Sequence, residues 1–144
     1  MKHFALSCIL LYALAAGSGD DGAPKSFTVG GTITGYAEGH AIHIAAYSSE
    51  KNFKKQVCHA KMRFKADELP AETLLYEFAA ITRGYYLIAA FQDMNDDRTF
   101  NKGLFGRPLE PYCLYRPHTG LFAPSFSKCK FMVESNVSNA HLRF

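Results

Sequence analysis

This 144-residue chain lacks most of the short patterns that identify an enzyme or a nucleic-acid-binding protein from its sequence. It contains no Cys-x-x-Cys pair or zinc-ligand spacing, no glycine-rich phosphate loop and no Gly-x-Ser-x-Gly elbow. Its formal charge is only +3, and its basic residues are interspersed with acids rather than gathered in a stripe. These absences argue against zinc-site, phosphate-loop and serine-hydrolase chemistry, and against nucleic acid as a partner.

The N-terminal apolar run is too short to cross a membrane, which takes about 20 apolar residues. It occupies positions 4–14, is interrupted by Ser7, follows the basic Lys2 and ends near a small-residue cleavage pattern. That order is typical of a secretory signal peptide. Residues 1–16 are therefore predicted to be a signal and 17–26 a flexible mature N-terminus. The protein is predicted to be exported, periplasmic or secreted, with no membrane span after the signal is removed.

Cysteine is scarce beyond the predicted signal, with residues only at Cys58, Cys113 and Cys129. In an oxidising compartment this odd number allows at most one intrachain disulfide and leaves one thiol. A Cys113–Cys129 bridge would clip a long loop to the strand that follows it, and this pairing is the working prediction. A Cys58–Cys129 bridge and three buried thiols remain as alternatives.

The chain does contain a succession of short segments with the alternation of β-strands, separated by turn residues. Strands are predicted at 27–34, 42–47, 57–65, 73–81, 85–91, 128–133 and 137–144, with a capped helical turn at 48–56. Two alternating sets mark strand faces: Cys58, Ala60, Met62 and Phe64, and Leu74, Tyr76, Phe78 and Ala80. Gly30-Gly31 inside the first strand predicts a bulge or bend. Seven such strands predict one all-β domain at 27–144, a β-sandwich.

Side-chain oxygens recur at every second position after the most hydrophobic predicted strand. They belong to Asp93, Asn95, Asp97, Thr99 and Asn101. A calcium loop supplies oxygens at alternate positions, so these five residues are the candidate metal ligands and calcium is the candidate cofactor. Arg98 and Leu104 depart from that pattern, because they stand where such a loop has its turn glycine and its bidentate glutamate. The alternative is a surface loop whose Asp and Asn side chains accept hydrogen bonds from backbone N–H groups.

A long loop rich in aromatic residues and arginine follows, from Phe100 to Phe126. Its candidate binding residues are Glu110, Tyr112, Tyr115 and Arg116, because partner-binding surfaces favour aromatic and arginine side chains. Glu110 could join the metal site only if the chain folded back. The alternative is that the rings pack together and hold the loop as a small core. That set is Phe100, Phe105, Tyr112, Tyr115 and Phe122.

Neighbouring histidines are not predicted to form a metal site. His40 and His43 are three positions apart, and on a strand such residues point to opposite faces. We therefore expect His40 in a turn and His43 on the face of a sheet.

Four segments, in order, carry a family resemblance. They are Gly84-Tyr85-Tyr86, Asp93-Met94-Asn95-Asp96-Asp97, Gly106-Arg107-Pro108 with Glu110, and Phe122-Ala123-Pro124-Ser125-Phe126. Through them the chain resembles an exported, largely bacterial family catalogued as domain of unknown function 2141. The resemblance implies a single Ig-like or transthyretin-like β-sandwich of about seven strands, with one long aromatic loop, and an exported location. It implies no activity. Gln92 and Asn101 depart from the family, which often has His and a second Asp there.

The leading interpretation is an exported, non-catalytic binding or structural accessory module whose site is the acidic loop with the neighbouring aromatic segment. Its partner would be a protein, a glycan or a small molecule. One alternative is a metal-assisted hydrolase, which requires convergent titratable groups in a pocket. Another is a carrier of a small apolar ligand, which requires an apolar cavity inside the sheets or beneath the aromatic loop.

Overall fold

Two β-sheets form the framework of the described chain, which comprises residues 25–117 and 123–144 of a computed structural model. The strands are β1 (Ser26–Thr34), β2 (Ala41–Tyr47), β3 (Ala60–Phe64), β4 (Thr73–Thr82), β5 (Gly84–Asp93), β6 (Tyr112–Leu114), β7 (Phe131–Val133) and β8 (Leu142–Arg143). The helices are α1 (Glu50–Lys55) and α2 (Phe126–Cys129), with 3₁₀ turns at Ala66–Glu68 and Leu104–Gly106. The all-β class is as predicted. The predicted signal, most of the predicted flexible N-terminus and Phe122 lie outside the described residues.

The first sheet has the strand order β4-β1-β8, and the second has the order β3-β2-β5-β6 with β7 also paired to β5. All of these pairs are antiparallel except β1 with β8, which is parallel. Strand β6 lies inside the segment predicted to be one long loop, and it pairs with the centre of β5. This pairing ties the middle of that loop to the second sheet. No helix in the two described ranges is long and apolar enough to span a membrane.

Alternate side chains of both sheets share one hydrophobic core. From the first sheet it includes Val29, Ile33, Leu74, Tyr76 and Phe78, and from the second Ile42, Ile44, Ala46, Ile88 and Ala90. The predicted inner face of β3 is confirmed for Ala60, Met62 and Phe64, which pack against this core. Cys58 lies before β3 begins. Period-2 burial therefore determines which face of each sheet remains available on the outside.

The alternation predicted for β4 is wrong at Ala80. Val29 of β1 pairs with Phe78 of β4, and Phe27 pairs with Ile81. One residue of β1 lies between these two pairs, whereas two residues of β4 do. Ala80 is exposed with a φ of 57°, whereas Ile81 is buried. A β-bulge explains both observations, since the extra residue turns the next side chain back to the core.

The prediction of a bulge or bend at Gly30-Gly31 is also wrong. Both glycines pair in regular register, with Glu77 and Tyr76 of β4. On the other side of β1, a Cβ added at Gly31 would lie under 3.0 Å from the backbone of Ala140. Glycine is therefore required here by the close approach of a second backbone.

The three described cysteines are free thiols, so the predicted Cys113–Cys129 bridge is wrong. Cys113 belongs to the core between the sheets, whereas Cys129 belongs to a second cluster with Leu87, Leu114 and Phe126. The two side chains therefore pack into different clusters. Burial raises the pKa of the Cys113 thiol to about 12, which keeps it protonated.

The predicted capped helical turn is confirmed as α1. The Ser49 hydroxyl accepts a hydrogen bond from the backbone N–H of Asn52 at 3.2 Å, as an N-cap does. Phe53 packs edge-on against Tyr47, with ring centroids 5.3 Å apart. The helix thereby covers one end of the second sheet's outer face. Farther along the chain, the strand predicted at 128–133 begins only at Phe131, because Lys128 and Cys129 lie in α2.

Candidate ligand cavity and the acidic loop

The acidic loop begins at Asp93, a buried carboxylate at the end of β5. Its Oδ2 accepts a hydrogen bond from the backbone N–H of Arg98 at 2.8 Å and lies 3.2 Å from Nε2 of His43. Its Oδ1 is buried without a hydrogen-bond partner among the described residues. Burial lowers the pKa of His43 more than the neighbouring Asp93 raises it. His43 is therefore held towards its neutral form. It lies on the face of the sheet, and His40 lies in a bend before β2, so the predicted places of the two histidines are confirmed.

Asp97 organises the exposed part of the loop. Its Oδ2 accepts hydrogen bonds from the side-chain amides of Asn101 at 2.7 Å and Asn95 at 3.0 Å. Its Oδ1 accepts one from the backbone N–H of Thr99 at 2.8 Å. The Asn101 amide is the main reason why the pKa of Asp97 is lowered. An aspartate at position 101 would instead place a like charge beside Asp97.

Glu110 folds back onto the loop and closes it. The backbone N–H of Gln92 donates to the carbonyl of Pro111 at 3.0 Å, which brings the following segment beside the loop's start. Glu110 is 6% exposed, and its Oε1 accepts from the N–H of Met94 while its Oε2 accepts from the N–H of Asn101, both at 3.0 Å. One carboxylate therefore binds both ends of the acidic loop. Sequence reasoning named Glu110 as a binding residue and missed this role.

Gln92, the residue before Asp93 on β5, holds the turn that contains Ala37. Its side-chain amide donates to the carbonyl of Ala37 and accepts from the N–H of the same residue, both at 2.9 Å. The side chain is buried, so both polar atoms are satisfied where water is excluded.

The five predicted metal ligands lie in one loop. However, Oδ2 of Asp93 and both carboxylate oxygens of Asp97 already accept hydrogen bonds from that loop. Within residues 25–117 and 123–144, no three acidic, histidine or cysteine side chains are grouped as a metal site. A calcium ion would have to replace several of the Asp97 and Asp93 hydrogen bonds. The observed arrangement corresponds to the alternative in which Asp and Asn side chains stabilise the turns. Calcium binding stays a prediction.

The calcium prediction is tested by unfolding the protein with calcium and with a chelator. At a calcium concentration a hundred times the dissociation constant, a filled site is expected to raise the free energy of unfolding by about 2.7 kcal/mol. The variant Asp97→Asn should abolish that increase because it removes the carboxylate. Superimposed curves for the unsubstituted protein would contradict the prediction.

A cavity of about 600 Å³ lies on the outer face of the second sheet, beneath the aromatic loop. Ala45 of β2 and Ala89 of β5 face each other in the register and form its floor, with Leu114 of β6 beside Ala89. Helix α1 borders one end through Phe53, and the loop around Phe100 borders the other. The cavity exists because these two alanines lie on a sheet face between larger side chains, including His43, Tyr47 and Phe91.

Aromatic rings form the wall at the loop end of the cavity. Phe91 stacks on His43 with centroids 4.7 Å apart, and it contacts Phe100 at 5.3 Å. Phe100 contacts Tyr112 at 5.7 Å. At the other end, burial raises the pKa of Tyr47 to about 12, so the Tyr47 hydroxyl remains neutral. The cavity is thus largely apolar with a few polar groups, as is usual for small-molecule sites.

The four described aromatic residues of this set, Phe100, Phe105, Tyr112 and Tyr115, do not form one small core. Phe105 is 100% exposed at the rim, in a left-handed conformation with a φ of 61°. Tyr115 instead packs edge-on against Phe131 of the main core, and Arg116 lies over the Tyr115 ring at 5.7 Å. Of the four predicted binding residues, only Tyr112 lines the cavity. Glu110 clamps the loop, and Tyr115 and Arg116 lie elsewhere.

Sequence reasoning did not name His43, Ala45, Tyr47 or Ala89 as site residues. The available signal was the outer face of β2, where a small residue separates two ring-bearing residues at alternate positions. That pattern indicates a cavity only once β5 is known to place Ala89 opposite Ala45.

Comparison with known proteins finds one family. The family model described as "Uncharacterized protein conserved in bacteria (DUF2141)" matches residues 32–141. The match covers the acidic loop, Glu110 and every residue named in the cavity lining, and it confirms the resemblance drawn from the sequence motifs. No curated protein and no solved structure matches the chain significantly.

Proposed function

We propose that this chain, which belongs to the DUF2141 family, is an exported, non-catalytic binding module that holds a small apolar molecule in the outer cavity. The observation that carries the proposal is the floor formed by Ala45 and Ala89 between aromatic walls. A volume of about 600 Å³ lies within the usual range for small-molecule sites. The acidic loop then serves as the support of one wall.

The arrangement of carboxylates favours binding over the metal-assisted hydrolase considered from the sequence. Glu110 accepts two backbone hydrogen bonds within the loop, and Asp93 is buried beneath it. Neither carboxylate lines the cavity. A metal-assisted hydrolase built on the acidic loop would need these carboxylates to converge on the space that holds the substrate.

The finer fold assignment is also part of the proposal. We propose an Ig-like or transthyretin-like sandwich, supported by the two mostly antiparallel sheets that share one core. The ligand would then bind outside the sandwich, between the second sheet and the covering loop.

The proposal is tested with the uncharged fluorescent probe N-phenyl-1-naphthylamine. We expect its fluorescence to rise on binding and Ala89→Trp to weaken binding at least about tenfold, or about 1.4 kcal/mol, because the indole fills the cavity. The matched control is Leu75→Trp, which adds the same ring at a position that is 73% exposed on the first sheet.

Circular dichroism and thermal unfolding establish that both tryptophan variants are folded. If Ala89→Trp disturbs folding, Ala45→Phe tests the same floor with a smaller ring. No probe binding, or equal binding by the floor variants and Leu75→Trp, would refute the proposed site.

A further inference from the structure

We infer that the ligand of this cavity is an apolar molecule with an anionic group, such as a carboxylate, bound by Lys102 and Arg107. This inference rests on the proposed function and adds the chemical class of the ligand. It derives from the charges around the cavity, which are distributed unevenly.

Three cationic side chains and one acidic side chain line the cavity. The cations are Lys54, Lys102 and Arg107, and the acid is Glu50. Glu50 pairs with Lys54 at 3.3 Å on α1, so these two charges offset one another. Lys102 and Arg107 form no ion pair with any residue in the described ranges. The lining therefore has two positive charges for which the neighbouring described chain supplies no partner.

A tight hairpin brings these two cations to the same wall. Lys102 pairs with Pro108 in an isolated antiparallel bridge, and the N–H of Gly103 donates to the carbonyl of Arg107 at 2.8 Å. The Lys102 ammonium lies 5.7 Å from the centroid of Phe100, a wall ring. The hairpin thus places both residues in the cavity lining, with the Lys102 ammonium near a wall ring.

This combination suits a ligand with an apolar body and an anionic end. Ala45, Ala89 and the aromatic wall would contact the body. A guanidinium binds a carboxylate through two parallel hydrogen bonds, and an ammonium adds a second charge. Both residues are exposed, so this attraction should weaken as the salt concentration rises. The buried Asp93 carboxylate does not line the cavity; its Oδ2 accepts from the Arg98 N–H and lies behind His43, 3.2 Å from Nε2 of that ring.

The contribution of the anionic group to binding is measured with two fluorescent probes that have the same aromatic body and differ in charge. 1-Anilinonaphthalene-8-sulfonate carries a sulfonate, whereas N-phenyl-1-naphthylamine is its uncharged counterpart. At low salt we expect the anionic probe to bind at least about tenfold more tightly. Lys102→Gln/Arg107→Gln should remove most of that advantage and change the affinity of the neutral probe by less than about twofold.

The control Lys25→Gln/Arg143→Gln lowers the net charge by the same amount at exposed positions just before β1 and in β8, on the side of the first sheet. It should leave both affinities nearly unchanged. If the neutral probe binds but the anionic probe binds no better, the anion inference fails while the cavity proposal stands. If both pairs of substitutions weaken the anionic probe equally, net charge explains the effect and the inference also fails. If neither probe binds, the proposed function itself fails.

Discussion

Replacement of Glu110 by alanine is expected to lower the free energy of unfolding by about 3 kcal/mol. The carboxylate is buried and accepts two backbone hydrogen bonds, from Met94 and from Asn101. Its removal leaves both N–H groups without this acceptor, and hydrogen bonds to a charged group are among the stronger ones. We also expect the amide protons of Met94 and Asn101 to exchange faster, because the loop loses its closure at both ends.

The control substitution for Glu110→Ala is Glu134→Ala. Glu134 forms an exposed ion pair with Arg83 at 3.3 Å, and such pairs contribute little to stability. Glu110→Gln should fall between the two, because one amide oxygen can still accept a hydrogen bond whereas the NH₂ group faces a second donor. Denaturant unfolding and amide exchange measure these differences. Equal stability of the Glu110→Ala and Glu134→Ala proteins would show that the clamp contributes nothing.

The role of Glu110 also shows where sequence reasoning ends. The strand pattern was readable because burial alternates locally, as along Leu74, Tyr76 and Phe78 of β4. The capped helical turn was also readable from a local pattern, because the Ser49 acceptor and the Asn52 donor are three residues apart. The Glu110 contact with Met94 spans 16 positions and depends on how the intervening chain returns. No local pattern specifies that return.

The cavity needed even more information than the clamp. Ala45 and Ala89 do not stand out in the sequence, because each lies in an apolar run next to a second alanine. Their effect arises from the β2–β5 register, which places one alanine opposite the other, and from the loop that covers them. The bulge at Ala80 is another case, since it was visible only as an extra residue relative to β1. Pairing between distant strands, rather than composition, determines these features.

Gly31→Ala is expected to destabilise the protein by about 3 kcal/mol or more, at the upper end of overpacking effects. A Cβ there would lie under 3.0 Å from the N, C and O atoms of Ala140, all of which belong to the backbone and cannot rotate away. The Ala140 segment is itself fixed to β1, because its N–H donates to the carbonyl of Gly30 at 3.0 Å. Relief of the clash therefore requires loss of the pairing between β1 and the C-terminal segment.

Gly103→Ala is the matched control, because it makes the same chemical change beside a neighbour that can move. The added Cβ would meet the end of the Leu109 side chain at 3.0 Å, and Leu109 is 67% exposed. We expect little loss of stability there, whereas Gly31→Ala should also accelerate amide exchange at Val137 and Ala140. Equal stability of the two alanine variants would contradict the close approach of the two backbones. A large loss at Gly31 alone would establish that this approach requires glycine at position 31, since regular strand geometry by itself would favour alanine.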